Sequence, residues 1–482
     1  MKFVYSLLFC LFSLAGFGQQ PIYKEFEVDS VTTPKGGMSY LIVFLQTNLR
    51  KSIQAESEGI GGRVLVQGVV EPDGHITEVK LLKSLRPDLD REALRVFGLF
   101  NAWKPAQKGG IAVRQRVMYP VVFGRNAPFP YENGQRTDYF GTDMKRTTDV
   151  AAATYKQVTP VDSLGIPNGD MLIYEQKGTR WSKINRLTLI RQKARNVDSL
   201  TRIAETVGYH NNQGLWTNYV YDLASDGTLV GKTLYVAPER YPTRYHSNGL
   251  VAESSQEENG RTMTTSWYPN GQIRQIRLDA GSFNNQYKLE RVQNYWTADG
   301  QHLVIDGSGK MTYESMRTSY TDPSRQVVYT ERGEYLDGLQ QDLWTGAYAD
   351  GSFGYEELYD RGKLQSGKAH TGSKEPVTYT VNEQLPEFPG GMPGLGRFIS
   401  DNLRYPPDAQ RAGQQGQVIV SFTVCTDGTL CDYEVLKSVS GSIDQEALRV
   451  VKRSSGKWKP GIQRGEPVRV KYHMPLNFTL TN

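Results

Sequence analysis

The chain has 482 residues, 38% of them hydrophobic and 11% aromatic, and a net charge of +5. That length exceeds what one hydrophobic core serves and implies roughly two to four domains. The apolar content excludes a disordered chain, and the mild charge, with no Lys/Arg run or basic stripe, excludes nucleic acid as a partner.

The chain opens with "MKFVYSLLFCLFSLAGFGQQ": Lys2, an apolar run from Phe3 to Phe17, then small residues. A membrane span needs about 20 apolar residues. With Gly16 and Gly18 just before Gln19, the shorter run here reads as a secretory signal, residues 1–18, that is removed after export. Retained, it would anchor the chain in the inner membrane. Cys10 leaves with the signal, so the mature chain keeps Cys425 and Cys431, on either side of "TDGT". Asp427-Gly428 is a hairpin turn signal, which puts the two thiols on facing strands. In an oxidising compartment they can bridge, and two separate thiols are the alternative.

Residues 36–96 align without a gap on residues 390–450, and 25 of the 61 paired positions are identical. "GGM", "NLR", "LKS" and "EALRV" occur in both, as does Asp-Gly at 73–74 and 427–428. "WKP" at 103–105 meets "WKP" at 458–460 after a one-residue shift. One small domain is present twice, in residues 19–125 and 380–482. In the first copy, Val64, Val66 and Val70 predict a strand, and Leu89, Ala93, Val96 and Phe97 a helix. In the second, Leu395, Phe398, Ile399 and Leu403 form one helical face, which Tyr405-Pro406-Pro407 ends. "QVIVSFTV" alternates Val418, Val420, Phe422 and Val424 against Ser421 and Thr423, which predicts a sheet with one buried face. Ser442 and Gln445 form a capping box for a helix carrying Ile443, Ala447, Val450 and Val451. The fold class is α+β: in each copy, helices on a three-stranded antiparallel sheet, with the last strand as an open edge.

Between the copies, residues 136–366 form a β-rich hairpin-repeat region. Gly227, Gly249 and Gly271 are spaced by 22 residues and Gly300 follows 29 later, each in an aromatic-to-Asx-Gly pattern. That period predicts successive hairpins in an extended sheet. The stretch 183–208 reads as helix, and residues 124–136 and 366–386 as linkers.

On "PEFPGGM", "LRYPPDAQRAGQQGQV", "DG", "DQEALRVV" and "WKPG", the second copy resembles the C-terminal domain of TonB-family proteins. The first copy resembles it more weakly, with Lys51-Ser52 where the Tyr-Pro belongs. The middle is similar to the MORN-type repeats of antitoxin-like exported proteins. The resemblance implies a periplasmic module that captures an extended peptide of an outer-membrane TonB-dependent transporter by adding it to a sheet edge, as part of energy transduction and transport. The capture residues it implies are Asn402, Leu403, Arg404, Tyr405 and Pro406, with Val468, Val470 and Tyr472 on the last strand. The chain departs from a full transducer in having a short apolar stretch and a folded spacer in place of a Pro-rich stalk. The alternative is an envelope scaffold whose end modules bind peptidoglycan or self-associate as a homodimer.

Nothing in the sequence points to catalysis. The six histidines are scattered, and no H-E-x-x-H, G-x-S-x-G or G-x-x-x-x-G-K-[ST] occurs. "GIGG" at 59–62 precedes a strand instead of following one, and Trp103 and Trp458 read as packing residues. A non-enzyme without cofactor or metal is expected.

Overall fold

The structure, a computed structural model, describes residues 21–194, 202–211, 214–236, 239–283, 287–372 and 374–480, with backbone alone over 280–283 and 287–289. The expected signal, residues 1–18, lies outside them. No described helix is long and apolar enough to cross a membrane. Two compact units meet between Leu303 and Val304, inside the expected 136–366 region.

The first unit begins with the first module: α1 (Met38–Asn48), α2 (Ile53–Ser57), β1 (Gly62–Val70), β2 (Ile76–Lys83), α3 (Pro87–Leu99) and β3 (Gln115–Phe123). Its sheet is antiparallel, in the order β2-β1-β3. Val64, Val66 and Val70 of β1 and Leu89, Ala93, Val96 and Phe97 of α3 are fully buried against one another, as alternation on the strand and 3.6-residue spacing on the helix require. Asp90 caps α3 from within: its carboxylate accepts from Leu85 N at 2.9 Å and from Ser84 Oγ at 2.5 Å.

The rest of this unit is sheet. A six-stranded sheet runs from Tyr131–Glu132 to Arg180–Leu187, and a ten-stranded antiparallel meander from Leu189–Lys193 to His302–Val304. The 22-residue glycines sit where expected, each at positive φ, with its N–H closing a turn onto the carbonyl three residues before. Each strand-plus-turn takes 11 residues, so Tyr221, Lys232, Thr243, Ser254, Thr265 and Ile276 pair in one row across six strands. The helix expected at 183–208 is absent from its described part, which holds Arg180–Leu187, Leu189–Lys193 and the start of Glu205–His210; residues 195–201 lie outside the described residues. Long unbranched side chains favour a helix only weakly there, and the neighbouring strands offer a full ladder. Residues 131–132, expected in a linker, likewise pair as Tyr131↔Arg136 and Glu132↔Gln135.

The turns of the meander pack on the first module. Gly271 leaves room for no β-carbon against Phe44 and Phe100. Tyr40 meets Trp296 edge-on at 5.1 Å, and Asn48 Oδ1 accepts from Val251 N at 2.7 Å. Module and meander thus share one core.

The second unit opens with a six-stranded meander, Gly309–Thr318 to Val377–Tyr379. Residues 366–386, expected as a linker, carry part of it: 367–369 pair with Val377–Tyr379. The second module follows: α4 (Gly391–Asn402), α5 (Pro407–Arg411), β4 (Gly416–Val424), β5 (Leu430–Lys437), α6 (Gly441–Arg453) and β6 (Val470–Phe478), with sheet order β5-β4-β6. The Ser442/Gln445 capping box does not form. Helix α6 starts at Gly441, so Ser442 is already in its first turn, and Asp444 caps it by accepting from Val439 N at 3.0 Å and Ser438 Oγ at 2.5 Å. Nor is β4 buried on one face alone: Ser421 and Thr423 are buried beside Phe422 and Val424. In register, Ser421 lies between Glu434 and His473, whose longer side chains flank it.

A candidate peptide-binding edge

Strand β6 pairs with β4 along one side, from Val424↔Val470 to Gly416↔Phe478, and with no described strand along the other. Pro475 fixes which backbone groups face the open side. Lacking an N–H, it cannot contribute a donor to the β4 ladder, so the Ile419↔Pro475 pair is a non-hydrogen-bonded one and its backbone points outward. Alternation then turns outward the N–H groups of Lys471, His473 and Asn477 and the carbonyls of Lys471, His473, Pro475 and Asn477. These are the groups an incoming strand would bond.

The side chains follow the opposite phase. Val470, Tyr472, Met474, Leu476 and Phe478 face the helices, while Lys471, His473, Pro475 and Asn477 are exposed. Tyr472 stacks on Phe422 at 5.6 Å and lies 5.2 Å from Trp458, so it belongs chiefly to the core, with its hydroxyl 3.6 Å from Met392 Sδ. Burial, then Lys471, pushes the His473 imidazole below its usual range, against the pull of Glu434.

Val468 is not on this strand. It closes a small hairpin, Glu466–Val468 on Gly461–Gln463, in which it pairs with Gly461. Arg469 separates the two strands, because the chain must turn from the small sheet into the large one.

The other expected residues, 402–406, form a clamp inside the module. Asn402 Nδ2 donates to Phe398 O at 2.7 Å, and its carbonyl accepts from Arg449 Nη2 at 2.6 Å. Arg404 N donates to Glu446 Oε1 at 2.6 Å, and Arg449 Nε to Glu446 Oε2 at 2.7 Å. Burial alone would raise the Glu446 carboxyl, but the Arg449 guanidinium and the Arg404 N–H hold it below its usual range. Leu403 packs on the core, and Pro406 precedes α5. The Tyr405 hydroxyl donates to Gln414 O, and its ring meets Phe478 edge-on at 5.7 Å. Tyr405 thus sits at the far end of β6, beside Phe478, which at the rise of an extended strand lies about 26 Å along from Val470. The structure sets the two groups of expected residues at opposite ends of one edge.

The same clamp recurs in the first module: Asn48 Nδ2 to Phe44 O at 2.9 Å, Arg50 N to Glu92 Oε1 at 2.8 Å and Arg95 Nη2 to Asn48 O at 3.2 Å. The repeated "NLR" and "EALR" are therefore two halves of one structural device. Glu446 and Arg449, and the edge groups of Lys471, His473 and Asn477, were not singled out in the sequence. The signal for the edge was there, in the proline that both last strands carry, Pro120 and Pro475, opposite Leu65 and Ile419.

At the turn joining β4 to β5, Gly428 has φ +79, and a β-carbon on it would collide with the Trp458 carbonyl. The turn brings Cys425 and Cys431 into bridging position, their Cα atoms 6.9 Å apart. Among the described residues no three His, Cys, Asp or Glu side chains gather as metal ligands.

The family model of the Gram-negative bacterial TonB protein C-terminal matches residues 52–124 and 401–480. No curated protein matches the chain. Two solution structures of the Helicobacter pylori TonB C-terminal domain are similar to it. One is 29% identical over 18% of this chain and 78% of that one, the other 30% identical over 18% and 91%, each with a TM-score of 0.16. On residues 52–124 and again on 401–480, the chain belongs to the TonB C-terminal family.

Proposed function

We propose that the second module captures extended peptide segments of outer-membrane transporters by strand addition along β6, in a TonB-like role in energy transduction. The observation that carries this reading is the outer side of Val470–Phe478, which no described strand pairs with, in a segment that the family model matches. Backbone pairing asks little of the guest's sequence and supplies about 0.5–1.5 kcal/mol per bond. No bond is made or broken, so the module is a binder and not an enzyme. The setting is the periplasm, reached by export on residues 1–18.

The test is a titration of the protein with synthetic TonB-box peptides, followed by hydrogen exchange resolved to single amides. Slowed exchange at Lys471 and His473 is the expected result. No binding at millimolar peptide removes the function and leaves the fold standing.

A further inference from the structure

The two modules treat the same edge differently. In the first, the chain's own upstream residues lie on it. Tyr23 forms a parallel bridge with Gln115 at the start of β3: Tyr23 N donates to Arg114 O at 2.9 Å, and Arg116 N donates to Tyr23 O at 3.1 Å. Arg116 is in the same phase as Pro120, so the N–H that Tyr23 satisfies is an outward one, the counterpart of Lys471 N on β6.

The arm is held by more than this bridge. Asp29 N and Gln107 O are 2.8 Å apart, as are Gln107 N and Ser30 O. Thr32 N donates at 2.6 Å to the side-chain oxygen of Gln115, a residue only 2% exposed, and Lys108 Nζ lies 4.3 Å over the Tyr23 ring. Beyond the bridge, a groove of about 540 Å³ remains between the arm and the strand, walled by Phe26, Val31 and Met38 and floored by Val117 and Met118. A foreign strand running along β3 would have to displace Tyr23 to pair with the first outward N–H.

The counterpart of the Ser30–Gln107 contact exists in the second module, where Glu383–Gln384 pairs with Gln463 and Ile462, but among the described residues no strand bridge covers β6. At the spacing that aligns the modules, Tyr23 corresponds to Val377, and Val377–Tyr379 is spent on the meander, paired with residues 367–369. Gln115 corresponds to Val470, which has no amide to hold an arm.

We propose that Tyr23 and its neighbours are a built-in occupant of the first module's capture edge, which closes that module to extended peptide and leaves β6 as the open one. This rests on the reading of β6 as a capture edge. The arm acts as a tethered competitor. At the effective concentration of a short tether, in the millimolar range, it outcompetes a free peptide of similar affinity until that peptide is also millimolar.

The test uses the full chain, its Tyr23→Pro variant, which cannot donate to Arg114 O, and its Gln115→Val variant, which loses the Thr32 anchor. Hydrogen exchange is read at Arg116, at Lys471 and at Val117, whose N–H points inward to β1 and reports that the module is still folded. In the parent, the Arg116 amide should exchange at least tenfold more slowly than Lys471. In both variants that protection should fall at least fivefold while Val117 stays slow. A synthetic peptide of residues 21–33 added at millimolar concentration should restore protection at Arg116 in Tyr23→Pro. Exchange at Arg116 as fast as at Lys471 in the parent overturns the proposal, as does an exposed Arg116 in the variant that the peptide leaves unprotected. Failure of TonB-box peptides at Lys471 with success of the arm peptide at Arg116 would remove the proposed function and keep the occupied edge, so the two failures are distinct.

Discussion

Arg464 Nε lies 2.9 Å from Glu357 Oε1, and the Glu357 side chain is 1% exposed. The carboxylate also accepts from Tyr359 Oη at 3.0 Å and Tyr379 Oη at 2.9 Å, while the guanidinium stacks 3.7 Å over Tyr355. Burial, then the Glu357 charge, pushes the Tyr359 and Tyr379 hydroxyls well above their usual range. The two hydroxyls satisfy part of this carboxylate, but only Arg464 balances its charge. Arg464→Ala should therefore cost about 3 kcal/mol, the lower end for breaking a buried pair, because Arg464 itself reaches solvent. A chemical-denaturation midpoint within error of the parent would refute this.

The Glu446 clamp should show in both a variant and a pH profile. Glu446→Ala strands the Arg404 N–H and the Arg449 guanidinium and should destabilise the second module by about 1–3 kcal/mol. The folded carboxyl titrates below its unfolded value of about 4.3. Its contribution is thus fully present above that pH and lost as pH falls through the folded value. The acid limb of a melting-temperature profile should be shallower in the variant.

His246 gives a second pH signature, in the first unit. Its Nε2 bonds the Trp267 carbonyl at 2.9 Å and so carries the proton of the neutral ring. Burial pushes the imidazole below its usual range, and Arg274 and Arg202 add to this against the Trp267 carbonyl. With the folded value depressed, stability is full above about pH 6.5 and declines as pH falls from there through the folded value. His246→Gln should remove this slope between pH 7 and 5, measured by thermal unfolding.

Gly428→Ala should cost about 2 kcal/mol or more. The left-handed backbone at φ +79 alone costs about 1 kcal/mol or more for a residue with a β-carbon, and here the added carbon also meets the Trp458 carbonyl. Gly456→Ala, at φ +76 but with open space around it, is the control and should cost only the backbone part. Equal losses in the two variants would count against the collision.

His473→Pro tests the edge without touching the ladder. The Ser421↔His473 pair shares the phase of Ile419↔Pro475, so the lost N–H is an outward one. Peptide binding should weaken roughly threefold to tenfold, the equivalent of one hydrogen bond, with little change in stability. Unchanged affinity would show that the guest does not pair along this strand.

Local signals were read well where the residues that carry them also do the work. The Asp-Gly turns, the core residues of β1 and β4 and the α3 and α6 faces are each decided within about a dozen residues, whereas the burial of Ser421 and Thr423 depends on the strands that flank β4. The doubled "NLR" and "EALR" were visible too, but their meaning was not. Alignment shows that Asn402 and Glu446 recur, whereas only the fold brings Arg404 to Glu446 across 42 positions. By pattern Val468 belongs to the last strand, because "VRVKYHMPL" alternates without a break; the switch of sheet at Arg469 leaves no mark in that pattern. The strands within 183–208 were hidden by residues equally at ease in a helix, and pairing partners elsewhere in the chain decided the matter. The occupied edge could not be foreseen at all, since nothing in "PIYKEF" says what it lies beside.

Pro475 interrupts the row of outward donors just two rungs after it starts. A segment docking there as proposed would find Lys471 and His473, then a gap, then Asn477 alone. On the proposed function, so short a zipper would hold a guest without trapping it, and it would give a second copy of the chain little purchase to propagate sheet from one molecule to the next. On that reading, release is built into the same strand as grip.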